Sequence, residues 1–251
     1  NEAHRRGMVV PDRVRREPGS DPAAGAYVAY PKKGLQDWIG SIDINSLYPS
    51  VIRALNMAPE TIVGQLRQTL TESTIEERMT VEKKSFAGAW EGEFGSLEYQ
   101  AVMRKDRAQS ITIDWETGES SILSAAEVYE LIFNNDQPWM LSANGTIFTH
   151  EFAGVIPGLL ERWYSERKEL QAKRKKAIDA GNAVETAFWD KRQLVKKINL
   201  NSLYGAILNP GCRFFDTRIG QSTTLTGRCI TKHMASKTNE IICGDYDYRG
   251  Q

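Results

Sequence analysis

The sequence predicts an α+β protein: an antiparallel sheet with packed helices, joined to a two-helix antiparallel hairpin. Three patterns carry that expectation. Two strand pairs are marked by turn residues, at Glu116–Glu119 and at Asn144-Gly145. From Pro157 onward, apolar side chains recur at helical spacing around a single break at Gly181-Asn182. A third long helical pattern runs over residues 216–242. With 251 residues, 41% of them hydrophobic, the chain can bury a core as one large domain or two small ones.

Taken in order, residues 1–35 carry Pro, Gly and Arg without a period and read as irregular chain. Residues 37–45 alternate apolar and polar side chains, which fits a short strand. Ser46 opens a helix with Pro49 in its first turn, where the missing N–H costs little, and Leu47, Val51, Ile52 and Leu55 form its apolar face. Residues 66–150 read as a mixed insertion. Within it Ile111–Trp115 and Ser121–Leu123 form one hairpin and Trp139–His150 another, while Ser124 and Glu127 make a capping box for a helix over residues 125–133. No function is evident in this insertion, and scaffold is its expected role.

The helical hairpin follows. Leu159, Leu160, Trp163, Tyr164, Leu170 and Ala177 mark its first helix; Phe188, Leu194, Ile198 and Leu203 mark its second. It is the most basic stretch of a chain whose net charge is zero, with eleven Lys or Arg against six Asp or Glu over residues 161–197. Charge of that kind suits either a solvated helix face or an anionic ligand. On the last helix Thr226, Cys229, Ile230 and His233 share a side.

Several function classes are disfavoured. Cys212, Cys229 and Cys243 are odd in number and lack paired spacing, so no disulfide framework is expected. Cys229 and His233 stand one turn apart but have no second pair to complete a zinc site, and His4 and His150 lie alone. No apolar run approaches the roughly 20 residues that span a bilayer, so no membrane partner is expected. The expected setting is a reducing cytoplasm, the host cell's for a viral protein.

Two runs carry chemistry. In Asp43-Ile44-Asn45-Ser46-Leu47-Tyr48-Pro49-Ser50 a carboxylate leads directly into a helix start. Asp43 can hold Mg²⁺ there while the amides of Ser46 and Leu47 face an anion, and Tyr48 can stack under a sugar. In Lys197-Ile198-Asn199-Leu200-Asn201-Ser202-Leu203-Tyr204-Gly205 a cation, an amide and an aromatic at i, i+4 and i+7 share one helix face. That stripe suits phosphates and a base pair, and Gly205 would admit another chain close to the backbone.

Together the runs resemble motifs A and B of family B DNA polymerases, most of all the replicative enzymes of large tailed bacteriophages. The resemblance spans residues 1–251 and is densest at 38–64 and 154–228. It implies that residues 1–155 form the N-terminal part of a palm carrying motif A and the 66–150 insertion. Residues 156–210 would be the fingers hairpin with motif B, and residues 211–251 a returning palm helix that stops before motif C. Asp43 would bridge two Mg²⁺ ions with the carbonyl of Ile44 as a further ligand. Ser46 and Leu47 amides would hold a triphosphate, and Tyr48 would exclude the ribose 2′-OH. Arg167, Lys197 and Asn201 would bind phosphates, Lys197 also protonating the departing pyrophosphate. Tyr204 and Gly205 would face the primer-template. The implied partners are primer-template DNA, dNTPs, a sliding clamp, and the remainder of the polymerase (motif C, thumb and exonuclease), fused or as a separate chain.

The sequence departs from that pattern in three places. Gln171 stands where the family usually has a Lys one turn after Arg167, so one triphosphate contact is expected to be weaker or supplied by Lys168 or Lys173, a variation rather than a loss of activity. Motif C is absent; Gly244-Asp245-Tyr246-Asp247-Tyr248 imitates it but reads as a loop ahead of the true motif. Thumb and exonuclease patterns are missing as well. One metal carboxylate without its partner should hold Mg²⁺ poorly, so the chain by itself is expected to be inactive. Two other readings stay open: a nucleic-acid-binding remnant without catalysis, and a protein-primed polymerase of the same family that uses the 66–150 segment to grip a terminal protein.

Overall fold

The computed structural model describes residues 2–10, 12, 26, 33–35, 37, 39–67, 78–83, 103, 107–134, 136–209 and 211–243. A short helix α1 (Glu2–Arg5) precedes α2 (Leu47–Ala54), which buries Pro49, Val51 and Ile52 on one face. A 3-10 turn at Pro59–Thr61 leads into β1 (Ile62–Arg67), followed by β2 (Ser110–Trp115) and β3 (Ser120–Ser124). Next come α3 (Ala125–Tyr129), which continues into a π-helical turn at Glu130–Asn134, and the strands β4 (Trp139–Leu141) and β5 (Thr146–Thr149). Three long helices follow: α4 (Val155–Asp179), α5 (Ala183–Ile207) and α6 (Thr217–Cys243).

The five strands form one antiparallel sheet in the order β3-β2-β1-β5-β4. Register at its centre pairs Gly64 with Trp115 and Gln65 with Thr146. Both expected hairpins are present. At the second, Ser142–Gly145 form a loop wider than the two-residue turn that Asn-Gly favours, with only Gly145 at positive φ. The expected capping box also forms: the Glu127 amide donates to the Ser124 hydroxyl at 3.3 Å, and the Ser124 amide donates to the Glu127 carboxylate at 2.7 Å.

One expectation fails. Among the described residues, 39–44 have no strand structure, and Ile39 and Ile42 are exposed. A strand needs a neighbour to take its backbone hydrogen bonds. The entire sheet is built from residues 62–149, leaving the Asp43 segment unpaired among the described strands. The sheet therefore lies mostly in the segment read as an insertion, with its central strand β1 starting just before it, and not in the run carrying Asp43. The imitation of motif C at Gly244–Tyr248 lies outside the described residues.

Two apolar clusters hold these elements. Leu66, Ile111, Ile113, Val128, Ile132 and Ile147 pack between sheet and α3. Val51, Ile52, Met57, Ile156, Leu160, Leu200, Ile207 and Ile219 join α2, α4, α5 and α6, with Phe148 bringing β5 into the same core. Each fully buried side chain of this size contributes about 1.5–3 kcal/mol. Beyond this core α4 and α5 run on as a two-helix arm. Gly181 at φ 70° and Asn182, whose side chain accepts from the Glu185 amide at 3.1 Å, reverse the chain where the sequence predicts. Far along the arm the periodic side chains Phe188, Leu194 and Ile198 are about half exposed. Surface contacts support it there: Arg174 pairs with Asp190 at 2.9 Å, and Lys173 lies 5.0 Å over the Trp189 ring.

The base of the arm is pinned to the end of α2. Asn56, buried and at φ 52°, donates to the carbonyls of Thr149 and Phe152 at 2.7 and 2.8 Å and accepts from the Gly154 amide at 2.9 Å. Glu60 accepts from the amide of Val155 at 2.6 Å, answering one of the free N–H groups at the start of α4. Arg53 reinforces the junction by pairing with Glu161 and lying 4.4 Å over the Tyr164 ring.

Candidate active site

Ser46, immediately before α2, is in the left-handed conformation, φ 55° and ψ 50°, and its side chain makes no capping hydrogen bond. Its carbonyl takes the first helical bond, from the Ser50 amide at 2.9 Å. Pro49 has no N–H to leave unanswered. The opening turn of α2 thus keeps the positive end of its helix dipole without a capping side chain.

That turn forms one wall of a cavity of about 370 Å³, through Asp43, Ile44, Asn45, Ser46, Leu47, Tyr48 and Pro49. The opposite wall comes from the helical arm: Arg167 on α4 and Lys197, Asn201 and Tyr204 on α5. Two runs about 150 residues apart in sequence therefore meet across one space. Of the residues to which the resemblance gives a nucleotide, metal or primer-template role, all but Gly205 line it; that glycine is exposed, with open space where a side chain would project. Lys168 and Lys173 do not line it either. They lie 5.5 Å over Tyr164 and 5.0 Å over Trp189.

The walls differ in charge. Asp43 is the acidic lining residue, and Arg167 and Lys197 face it across the space. Arg167 is nearly buried, with its Nε donating to Gln193 at 3.4 Å, while Lys197 and Asn201 are exposed. A carboxylate opposite two cations and a helix N-terminus suits a ligand that carries both a metal ion and several negative charges. Among the described residues no group of three or more metal-ligating side chains forms, so Asp43 and Ile44 offer part of a coordination shell.

The floor is aromatic. Tyr48 and Tyr204 pack with ring centroids 4.6 Å apart at 42°. Burial raises the Tyr48 phenol above its ordinary range, with nearby Arg228 opposing the shift. Burial pushes the Tyr204 phenol up to about 12, against a hydrogen bond with Thr224. Behind these rings stands α6, and sequence reasoning missed its part. Thr224 and Arg228 are buried there, and Gly227 lies directly against the Tyr48 ring. The available signal was a glycine inside a long helix, a position that usually has a packing reason. Of the residues that the sequence groups on α6, Cys229 is buried, whereas Ile230 and His233 are exposed.

The chain is similar to known proteins in both sequence and fold. The DNA-directed DNA polymerase of Enterobacteria phage T4 is 27% identical over 233 residues, covering 89% of this chain and 25% of the phage protein. DNA polymerase 2 of Aeropyrum pernix is 25% identical over 250 residues, covering 98% of this chain and 23% of its own length. The chain thus spans about a quarter of the curated relatives it matches. In fold it is similar to the family B DNA polymerase of Pyrobaculum calidifontis, with a TM-score of 0.55 at 20% identity over 96% of this chain and 23% of that one. The model of DNA polymerase family B matches residues 1–249, and the chain belongs to that family.

Proposed function

We propose that this chain supplies the nucleotide-binding wall of a template-directed DNA polymerase, with residues 1–155 and 211–251 as palm and residues 156–210 as fingers. The observation that carries the reading is the convergence of Asp43–Pro49 with Arg167, Lys197, Asn201 and Tyr204 on one cavity. An incoming dNTP fits its charge pattern. The triphosphate lies between the first turn of α2 and the cations of the arm, and Asn201 meets a phosphate oxygen. Tyr48 closes the space on the sugar's 2′ side, and Tyr204 with Gly205 faces the new base pair and its template.

Asp43 and the carbonyl of Ile44 are hard oxygen donors of the kind that Mg²⁺ takes, so the donor set fits the metal in part, and the rest of the polymerase would supply the second carboxylate. When bound, two such ions lower the pKa of the primer 3′-OH and neutralise charge at the leaving oxygen. The protein's own groups orient the triphosphate for in-line attack, and Lys197 gives a proton to the departing pyrophosphate. Arg167 and Lys197 ride on the arm, so an inward turn of the arm would bring them onto the phosphates after correct pairing, making pairing a condition for chemistry.

Primer extension with Mg²⁺ and dNTPs tests this, comparing the chain alone with the longer polymerase that contains it. The expected result is extension only by the longer protein, and loss of about 10³-fold or more in it on Asp43→Ala, as for removal of a group that stabilises developing charge. Extension by the chain alone would mean that Asp245 or Asp247 completes the site. Full activity of Asp43→Ala would overturn the assignment of the cavity.

A further inference from the structure

We propose that Gly227 is a positioning residue that sets how far the Tyr48 ring projects into the cavity, and through it the discrimination between deoxyribose and ribose. This rests on reading Tyr48 as the wall beside the sugar. A Cβ at Gly227 would stand 2.9 Å from Cε1 and 3.3 Å from Cδ1 of Tyr48, and 3.6 Å from Cδ2 of Leu47. Carbon atoms pack at about 3.5–4.0 Å, so even one methyl group there displaces the ring by roughly half an ångström.

The ring's other neighbours limit where it can go. Tyr204 packs against it at a centroid distance of 4.6 Å. Tyr204 is itself held, packed against the apolar core that joins α2, α4, α5 and α6. Tyr48 lines the cavity and Gly227 does not, so the ring yields away from α6 and into the space for the sugar. Backbone freedom does not explain the glycine. It lies within the regular helix α6, its carbonyl accepting from the Thr231 hydroxyl at 2.9 Å, and glycine at a helix interior costs about 1 kcal/mol relative to alanine. What the position requires is space.

The test measures single-nucleotide incorporation of a dNTP and the matching rNTP by the longer polymerase, for the parent, Gly227→Ala, Tyr48→Ala and the double variant. The expected Gly227→Ala result is a KM for the dNTP about 3- to 10-fold higher with kcat within about twofold, the pattern of lost binding room. The dNTP:rNTP ratio of kcat/KM should widen several-fold. Tyr48→Ala should collapse that ratio, and adding Gly227→Ala to it should change it by less than about twofold, since the coupled partner is gone. Thermal melting supplies a second readout. If Gly227→Ala folds poorly, the double variant should recover stability because the collision is gone. A ratio unaltered by Gly227→Ala but collapsed by Tyr48→Ala overturns the role of the glycine alone. A ratio unaltered by Tyr48→Ala overturns the reading of Tyr48, and this inference with it. A double variant as unstable as Gly227→Ala also overturns the contact.

Discussion

Both ends of α2 pass through a left-handed residue, Ser46 at φ 55° and Asn56 at φ 52°, and there the likeness stops. At the first end the segment before Ser46 is largely exposed, no side chain caps the helix, and the turn opens on the cavity. At the second, the Asn56 carboxamide uses both its atoms on three backbone partners from the β5–α4 connection. Left-handed backbone costs a non-glycine residue roughly 1–2 kcal/mol. At Asn56 that cost is offset by hydrogen bonds within the protein. At Ser46, among the described residues, the side chain makes one hydrogen bond, to neighbouring Asn45. A helix end whose polar groups are matched internally serves as an anchor; one whose groups are left over is where a ligand can act.

Substitution by glycine separates the two ends most sharply. Asn56→Gly removes the left-handed penalty but orphans two carbonyls and one amide, so it should destabilise by about 3 kcal/mol net, read as a lower denaturation midpoint. Ser46→Gly removes the same penalty and loses nothing of comparable worth, so it should stabilise by roughly 0.5–1 kcal/mol. Equal and opposite effects are not required, but a shared sign would break the comparison. The smallest effect lies at the cavity floor. Burial raises Tyr204 from 10.0 to about 12, so its contribution to stability is complete below pH 10 and is lost as pH rises toward 12. The melting temperature of Tyr204→Phe should therefore fall less steeply than the parent's across that window.

How much of this could be read beforehand depended on whether the cause was local. The capping box at Ser124, the reversal at Gly181-Asn182 and the stripe Lys197, Asn201, Tyr204 follow from spacing along one helix or turn, and each is in place. The assembly of the cavity was legible through resemblance, because both motifs are short and ordered. The strand expected before Ser46 was not borne out, since alternation describes side chains and cannot supply the neighbouring strand that holds the backbone. Asn144 looked like a turn residue only. Its carboxamide oxygen instead accepts from the hydroxyls of Ser142 and Ser222, both at 2.6 Å, and its nitrogen donates to the Arg218 carbonyl at 3.2 Å. Partners some 75 residues away leave no local pattern.

That grip gives the sheet a task beyond support. Ser222 and Thr226 face the β4–β5 loop, Thr226 accepting from the Ala143 amide at 3.1 Å. Thr223 and Gly227, one residue further round, face α2 and the turn after it, Gly227 meeting the Tyr48 ring and Thr223 the Met57 sulfur at 3.5 Å. Each step along a helix turns it by about 100°, so slipping the loop by one residue would bring Thr226 or Arg228 to bear where Gly227 now stands. The loop acts as an index pin for the rotation of α6 about its own axis. The sheet, remote from the cavity, sets which face of that helix the aromatic floor rests on.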